Sequence, residues 1–137
     1  MHVTQKTEYA LLALYTIWAT GKGNPVSRTE IARMQGMSTA FLEKVLLSLQ
    51  KVNLVKSVRG PGGGFILASE PTSISMWDVY SAVDRAEVEP HRCHPKTPLP
   101  CQHWDGCKVK SIWRTFNDTI KDSMSKITLA DIAKGDA

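Results

Sequence analysis

All three cysteines of the 137-residue chain lie in one stretch, Cys93-His94-Pro95-Lys96-Thr97-Pro98-Leu99-Pro100-Cys101-Gln102-His103-Trp104-Asp105-Gly106-Cys107. Seven residues separate the first pair and five separate the second. Three prolines fall between Cys93 and Cys101. Proline fixes φ and lacks a backbone donor, so neither a helix nor a strand ladder runs through this segment. The spacing predicts an irregular loop carrying soft, thiolate-capable ligands. A loop of this length in a compact chain is either functional or a linker. A linker with incidental thiols is the plainer reading. Collection of every cysteine into one loop points instead to a metal centre. Three is an odd number, so a disulfide framework would leave one thiol over. A metal centre would need a fourth ligand from elsewhere, or an open position.

Such a loop needs a scaffold, and the length allows one domain, or one domain with an extension. The apolar fraction of 42% suffices for a core. The longest apolar run, 9–19, is broken by Thr16 and is too short to span a bilayer. It lacks the cationic front and cleavage site of a signal peptide. A cytoplasmic protein with reduced cysteines and no membrane partner is expected. The net charge is +4, unevenly placed. Residues 1–68 carry 8 Lys/Arg and 3 Asp/Glu, against 9 and 10 in residues 69–137. A basic front half suggests a polyanion-facing module joined to something else.

Along the front half, Thr4 can cap a helix to about Thr20. Its crowding with Tyr9, Leu11, Leu12, Leu14, Ile17 and Trp18 predicts burial on most sides. Ser27-Arg28-Thr29-Glu30 has the form of a capping box. It opens a short helix with Ile31, Ala32 and Met34 facing inward, stopped at Gly36. Ser38 caps a third helix with Phe41, Leu42, Val45, Leu46 and Leu49 as its buried stripe. Two short helices around a tight turn make a helix-turn-helix pattern. Two strands follow, 54–59 and 65–68, joined by Gly60-Pro61-Gly62-Gly63-Gly64 as a flexible hairpin tip. The pattern is a winged helix. The glycines lack the lysine-serine/threonine ending of a phosphate loop, and they join strand to strand. Ser75 can cap a fourth helix. After Cys107, apolar residues recur in steps of three and four, predicting a long amphipathic helix. Its stripe, Val109, Ile112, Trp113, Phe116, Ile120 and Met124, has two possible partners: a second subunit, or the first helix of the same chain. Residues 128–131 predict one more short turn before a frayed end. The expected organisation is 1–84 winged helix-turn-helix, 85–107 cysteine loop, and 108–137 dimerisation helix and tail. The fold class is mainly α with a small β-hairpin.

Tyr9-Ala10-Leu11, Ser57-Val58-Arg59-Gly60-Pro61-Gly62-Gly63-Gly64-Phe65, Ala82-Val83-Asp84 and the cysteine loop together resemble the IscR, NsrR and RirA family of bacterial transcription regulators. The likeness spans residues 1–133. It implies a homodimeric winged-helix repressor or activator that binds a palindromic operator in double-stranded DNA. It further implies that binding responds to an iron–sulfur cluster, 4Fe-4S or 2Fe-2S. Thiolates are the usual ligands of such clusters. The implied ligands are Cys93, Cys101 and Cys107. The first two named types have five residues between each pair of cysteines. The gap of seven here is more similar to the iron-responsive RirA type, so iron is the expected signal, with nitric oxide or oxygen second. The IscR-type histidine three residues after the last cysteine is Lys110 here. The aspartate of the NsrR type matches Glu8, which would reach across from a partner subunit; His103 and His94 are local alternatives.

For DNA, the expected contacts are Arg28, Thr39, Ala40, Glu43, Lys44 and Arg59. The start of the third helix would enter the major groove. Glu43 can accept from a cytosine amino group, and Arg59 would meet the minor groove or a phosphate. No catalytic pair or nucleophile motif is present, so an enzyme is not expected. A cluster-free thiol/disulfide regulator of the same fold and an iron–sulfur electron carrier are the competing readings.

Overall fold

The computed structural model describes residues 3–84, 101 and 106–135. Helix α1, Gln5–Gly21, starts at Thr4, whose side chain accepts from the Lys6 N–H at 3.2 Å. It packs against every other layer of the front module, α2 (Arg28–Gln35), α3 (Thr39–Lys51), α4 (Met76–Val83), the second strand and the last helix. That central position explains its apolar residues on several sides. Ala10, Ala13, Leu14 and Ile17 are buried with Ile31 of α2 and with Leu42, Val45, Leu46 and Leu49 of α3. Burying one such leucine or isoleucine contributes roughly 1.5–3 kcal/mol.

Two of the sequence expectations for α2 are corrected here. Ser27 does accept from the Glu30 N–H, at 3.1 Å. The Glu30 carboxylate, however, turns to the Arg33 guanidinium at 2.6 and 3.0 Å rather than back to the cap, so the capping box at α2 is only half made. A charged fork one turn away outcompetes one backbone donor. Met34 is 45% exposed and does not face inward. Reciprocal boxes form instead at Ser75/Asp78, starting α4, and at Thr128/Asp131.

Strands β1 (Val55–Val58) and β2 (Gly64–Leu67) pair antiparallel, with Val55 opposite Leu67 and Val58 opposite Gly64. The hairpin is tied to the α1–α2 connection. Val26 and Phe65 exchange backbone hydrogen bonds of 3.0 and 2.8 Å. The glycine run is therefore shaped rather than merely loose. The Gly63 N–H closes a turn onto the Gly60 carbonyl at 2.9 Å, with Gly60 and Gly62 in left-handed conformations. A Cβ on Gly64 would stand 2.4 Å from the Val26 backbone.

After Cys107 comes α5, Val109–Ser125, and then α6, Leu129–Lys134. Residues 128–131 do start the expected short turn, which continues as α6, and the expected frayed end lies outside the described residues. Met76 N–H bonds the Ile127 carbonyl at 2.7 Å, and Leu129 N–H bonds the Ile74 carbonyl at 2.8 Å. Leu129 is 1% exposed and belongs to the same core as α1. This strap fixes the end of α5 to the winged module. The observed architecture is a mainly helical winged helix with one two-stranded hairpin. No helix among the described residues is long and apolar enough to cross a membrane.

Candidate nucleic-acid interface and cluster loop

Helix α3 turns its apolar stripe inward and leaves Thr39, Ala40, Glu43 and Lys44 exposed. Ser38 caps it by accepting from the Phe41 N–H at 3.4 Å. Arg28, at the start of α2, is also exposed, and its guanidinium meets the Glu43 carboxylate at 2.9 Å. Two of the six residues expected to touch DNA thus engage each other in the free chain. Both partners are near half-exposed, so the pair contributes about 0–1 kcal/mol. Exchange of either partner for a nucleic-acid group therefore has little to overcome. Arg59 is exposed at the end of β1, beside the turn at Gly60. Arg28, Thr39, Ala40, Glu43 and Lys44 share the helix-turn-helix surface, and Arg59 stands apart on the wing.

Cys101 and Cys107 are free thiols, each half-buried. Cys107 lies two residues before α5. Cys93, His94 and His103 lie outside the described residues. Among the described residues, no three His, Cys, Asp or Glu side chains stand close enough to hold a metal ion. Glu8 is exposed on the first turn of α1 and is not brought to Cys101 and Cys107 within one chain. Thiols such as Cys101 and Cys107 are of the donor type that a cluster takes.

Sequence reasoning missed the anchor at the loop's entrance. Asp84, the last residue described before it, accepts from Thr4 Oγ1 at 2.7 Å and from the Thr4 N–H at 3.3 Å. Thr7 Oγ1 also donates to it. Burial pushes the Asp84 carboxyl up, but the hydrogen bonds from Thr7 and Thr4, with the Lys6 charge, outweigh it and hold the carboxyl below its ordinary value of 3.8. Two threonines three apart at a helix start were the signal available in the sequence. A depressed carboxyl contributes stability that is present above its unfolded pKa and lost as pH falls through the folded value. Asp84→Asn is therefore expected to lower the melting temperature at pH 6–7 and to leave it almost unchanged below roughly pH 3. Thermal unfolding followed by circular dichroism at both pH values checks this. An equal loss at both would show that the clasp does not act through charge.

The α5 stripe divides. Val109, Ile112 and Phe116 are 55%, 62% and 41% exposed. Trp113 and Ile120 are half-buried. Met124 departs from the expected pairing set, because it is 7% exposed and covered within its own chain. The lower part of α5 rests on α4, where the Lys121 ammonium lies 5.8 Å from the Trp77 ring centre. The upper part, nearest the cysteine loop, is the uncovered part.

A family model described as Rrf2, iron-dependent transcriptional regulator, matches residues 3–135. The HTH-type transcriptional regulator IscR of Escherichia coli K12 is 36% identical over 132 residues, covering 96% of this chain and 80% of the relative. The solved structure of T. potens IscR superposes with a TM-score of 0.75 at 31% identity, over 100% of this chain and 89% of that one. CymR, described as the global cysteine regulator of B. subtilis, gives 0.73 at 26% identity, over 98% and 97%.

Proposed function

The chain belongs to the Rrf2 family of transcriptional regulators, and from that premise we propose that its operator affinity is set by an iron–sulfur cluster in the 93–107 loop, with iron availability as the signal. It is a regulator and not an enzyme. The observation that carries the cluster reading is that Cys101 and Cys107 are free thiols, the second of them two residues ahead of α5, in a stretch that also contains Cys93. Cys93, Cys101 and Cys107 would be the ligands, with Glu8 of a second subunit or His103 as the fourth. The gap of seven residues favours the RirA type. A bound cluster supplies an iron-dependent cross-link that is sensitive to oxidation and to nitric oxide.

The rest is done by the chain itself. Residues 1–84 read DNA, 85–107 sense, and 108–137 pair the subunits, with α6 strapping α5 to the reading module. A homodimer through the upper part of α5 would set two α3 helices about 34 Å apart and so read a palindrome. Thr39, Ala40, Glu43 and Lys44 would face the major groove, and Arg28 and Arg59 the backbone or minor groove. The loop starts at Asp84, which α1 grips, and ends at α5. Ordering it therefore changes the tilt of α5 against the reading module. A ligand alters DNA affinity only through its different affinity for the two arrangements.

One observation favours a second reading. Cys101 and Cys107 are both half-exposed thiols, suited to disulfide chemistry without metal. Anaerobic purification, iron and sulfide analysis and a visible spectrum separate the two. The proposal expects iron and acid-labile sulfide together with visible charge-transfer absorption. A colourless, iron-free protein that regulates fully through thiol oxidation would replace it with the second reading.

Arg59→Ala is expected to weaken operator binding and to reduce the salt slope by about one unit, because one phosphate-neutralising charge is lost. Titrations at two salt concentrations measure it. An unchanged slope and affinity would remove the wing from the interface.

A further inference from the structure

Leu47 has no place in the core, yet it is a leucine. Leu42, Val45, Leu46 and Leu49 make the buried stripe of α3 at 0–3% exposure, while Leu47 is 52% exposed. A lone exposed leucine is ordinary on most surfaces. This one lies one turn beyond Glu43 and Lys44 and one turn before Lys51, all of them exposed. Residues three and four apart share a helix face. The outward face of α3 is therefore Ala40, Glu43, Lys44, Leu47 and Lys51. Its only carboxylate is already paired with Arg28, so the face is basic, with two aliphatic points along its midline. Lysines flanking aliphatic groups suit a duplex groove, where phosphates line the walls and the one apolar feature of the floor is the thymine C5-methyl.

We propose that Leu47 is a specificity-determining residue that reads a thymine methyl in the major groove. The assignment rests on the reading of α3 as the DNA-facing helix. It adds a position beyond the helix start, where polar contacts were expected. Ala40 and Leu47 are seven residues apart, roughly 10 Å along the helix axis. That is about three base-pair steps at 3.4 Å each. Two thymines about three steps apart in each half-site are the pattern this face fits, with the Glu43 contact between them.

The test starts from duplexes that the 137-residue protein enriches from a random-sequence pool. Each thymine of an enriched duplex is then replaced singly by deoxyuridine, which removes the methyl and keeps every hydrogen-bonding group. Wild-type protein is expected to lose about threefold to tenfold affinity at one such position per half-site, the scale of one methyl left unburied. Leu47→Ala is expected to lose a similar factor on the thymine duplex and to be indifferent to uridine at that same position. Ala40→Gly should be indifferent at a different thymine. Circular dichroism confirms that the Leu47→Ala helix is intact, as its exposure leads one to expect. If no thymine position responds in wild type, or if Leu47→Ala keeps the full uridine penalty, the assignment is overturned while α3 remains the reading helix. A pool from which nothing is enriched would sink the DNA-facing reading itself, and this assignment with it.

Discussion

In the proposed homodimer, Phe116→Asp is expected to separate the two copies and lower operator affinity by about 10²-fold or more, the scale lost when two linked half-site contacts become independent. Val109, Ile112 and Phe116 are exposed on one side of α5. A helix stripe of that kind requires cover. The winged module does not supply it, because its contact with α5 is made lower down, around Trp77 and Lys121. An aspartate at 116 places a charge in the centre of the proposed seam, where desolvation opposes it. Phe116 makes little of the chain's own core, so the fold should survive. Trp113 loses an edge-on neighbour whose ring centre lies 6.5 Å away, a modest effect. Sedimentation at micromolar concentration should show a folded monomer. A variant that remains dimeric and binds operator normally would move the interface away from α5.

Gly64→Ala is the second large effect, and it acts on the wing. The added Cβ would stand 2.4 Å from the Val26 backbone and 2.7 Å from the Ser27 nitrogen. Both neighbours are backbone, so relief requires the hairpin to move. The exchange of hydrogen bonds between Val26 and Phe65 is then broken or stretched. Forcing atoms into such a contact costs about 1–3 kcal/mol, and lost backbone pairing adds to it. A loss of roughly 2–4 kcal/mol in chemical denaturation is expected. Operator affinity should fall as well, since Arg59 rides on the displaced hairpin. Gly62→Ala offers the contrast. Nothing stands within 4 Å of its Cβ, so only the left-handed backbone opposes it, at φ 72°. A Gly64→Ala protein as stable as wild type would show that the wing is only a loose tip.

Much of this architecture was legible in the chain because local chemistry and burial agree. Ser38, Ser75 and Thr4 start helices where caps were expected. The α3 stripe is buried from Leu42 to Leu49. The helix-turn-helix and hairpin follow in order. What was not legible depends on pairs distant in sequence. Glu30 could serve its cap or Arg33, and only side-chain geometry decides. Arg28 and Glu43 both look like free DNA contacts until α2 and α3 are packed together. The Asp84 clasp joins residues 80 and 77 apart in sequence. The docking of Leu129 likewise needs the Ile74 carbonyl from another part of the chain. Met124 fits the periodic stripe of α5 and is nevertheless covered at home, because periodicity gives a face without naming its partner. The ligand set of the cysteine loop is a proposal from residue type, order and the family likeness, and Cys93 lies outside the described residues.

The central claim is that a cluster held by Cys93, Cys101 and Cys107 sets operator affinity. Its most direct test is one titration made twice. Anaerobically purified protein and the same protein after iron chelation are titrated against an enriched operator duplex and an unrelated duplex, with Cys101→Ala beside them. Chelation is expected to change operator affinity by about 5- to 150-fold, the usual range of coupling between two sites. Binding to the unrelated duplex, which is backbone electrostatics, should change far less. Cys101→Ala should lack the visible chromophore and match the chelated protein whether or not iron is present. Equal operator affinity with and without iron, or an iron-responsive Cys101→Ala protein, would contradict the account.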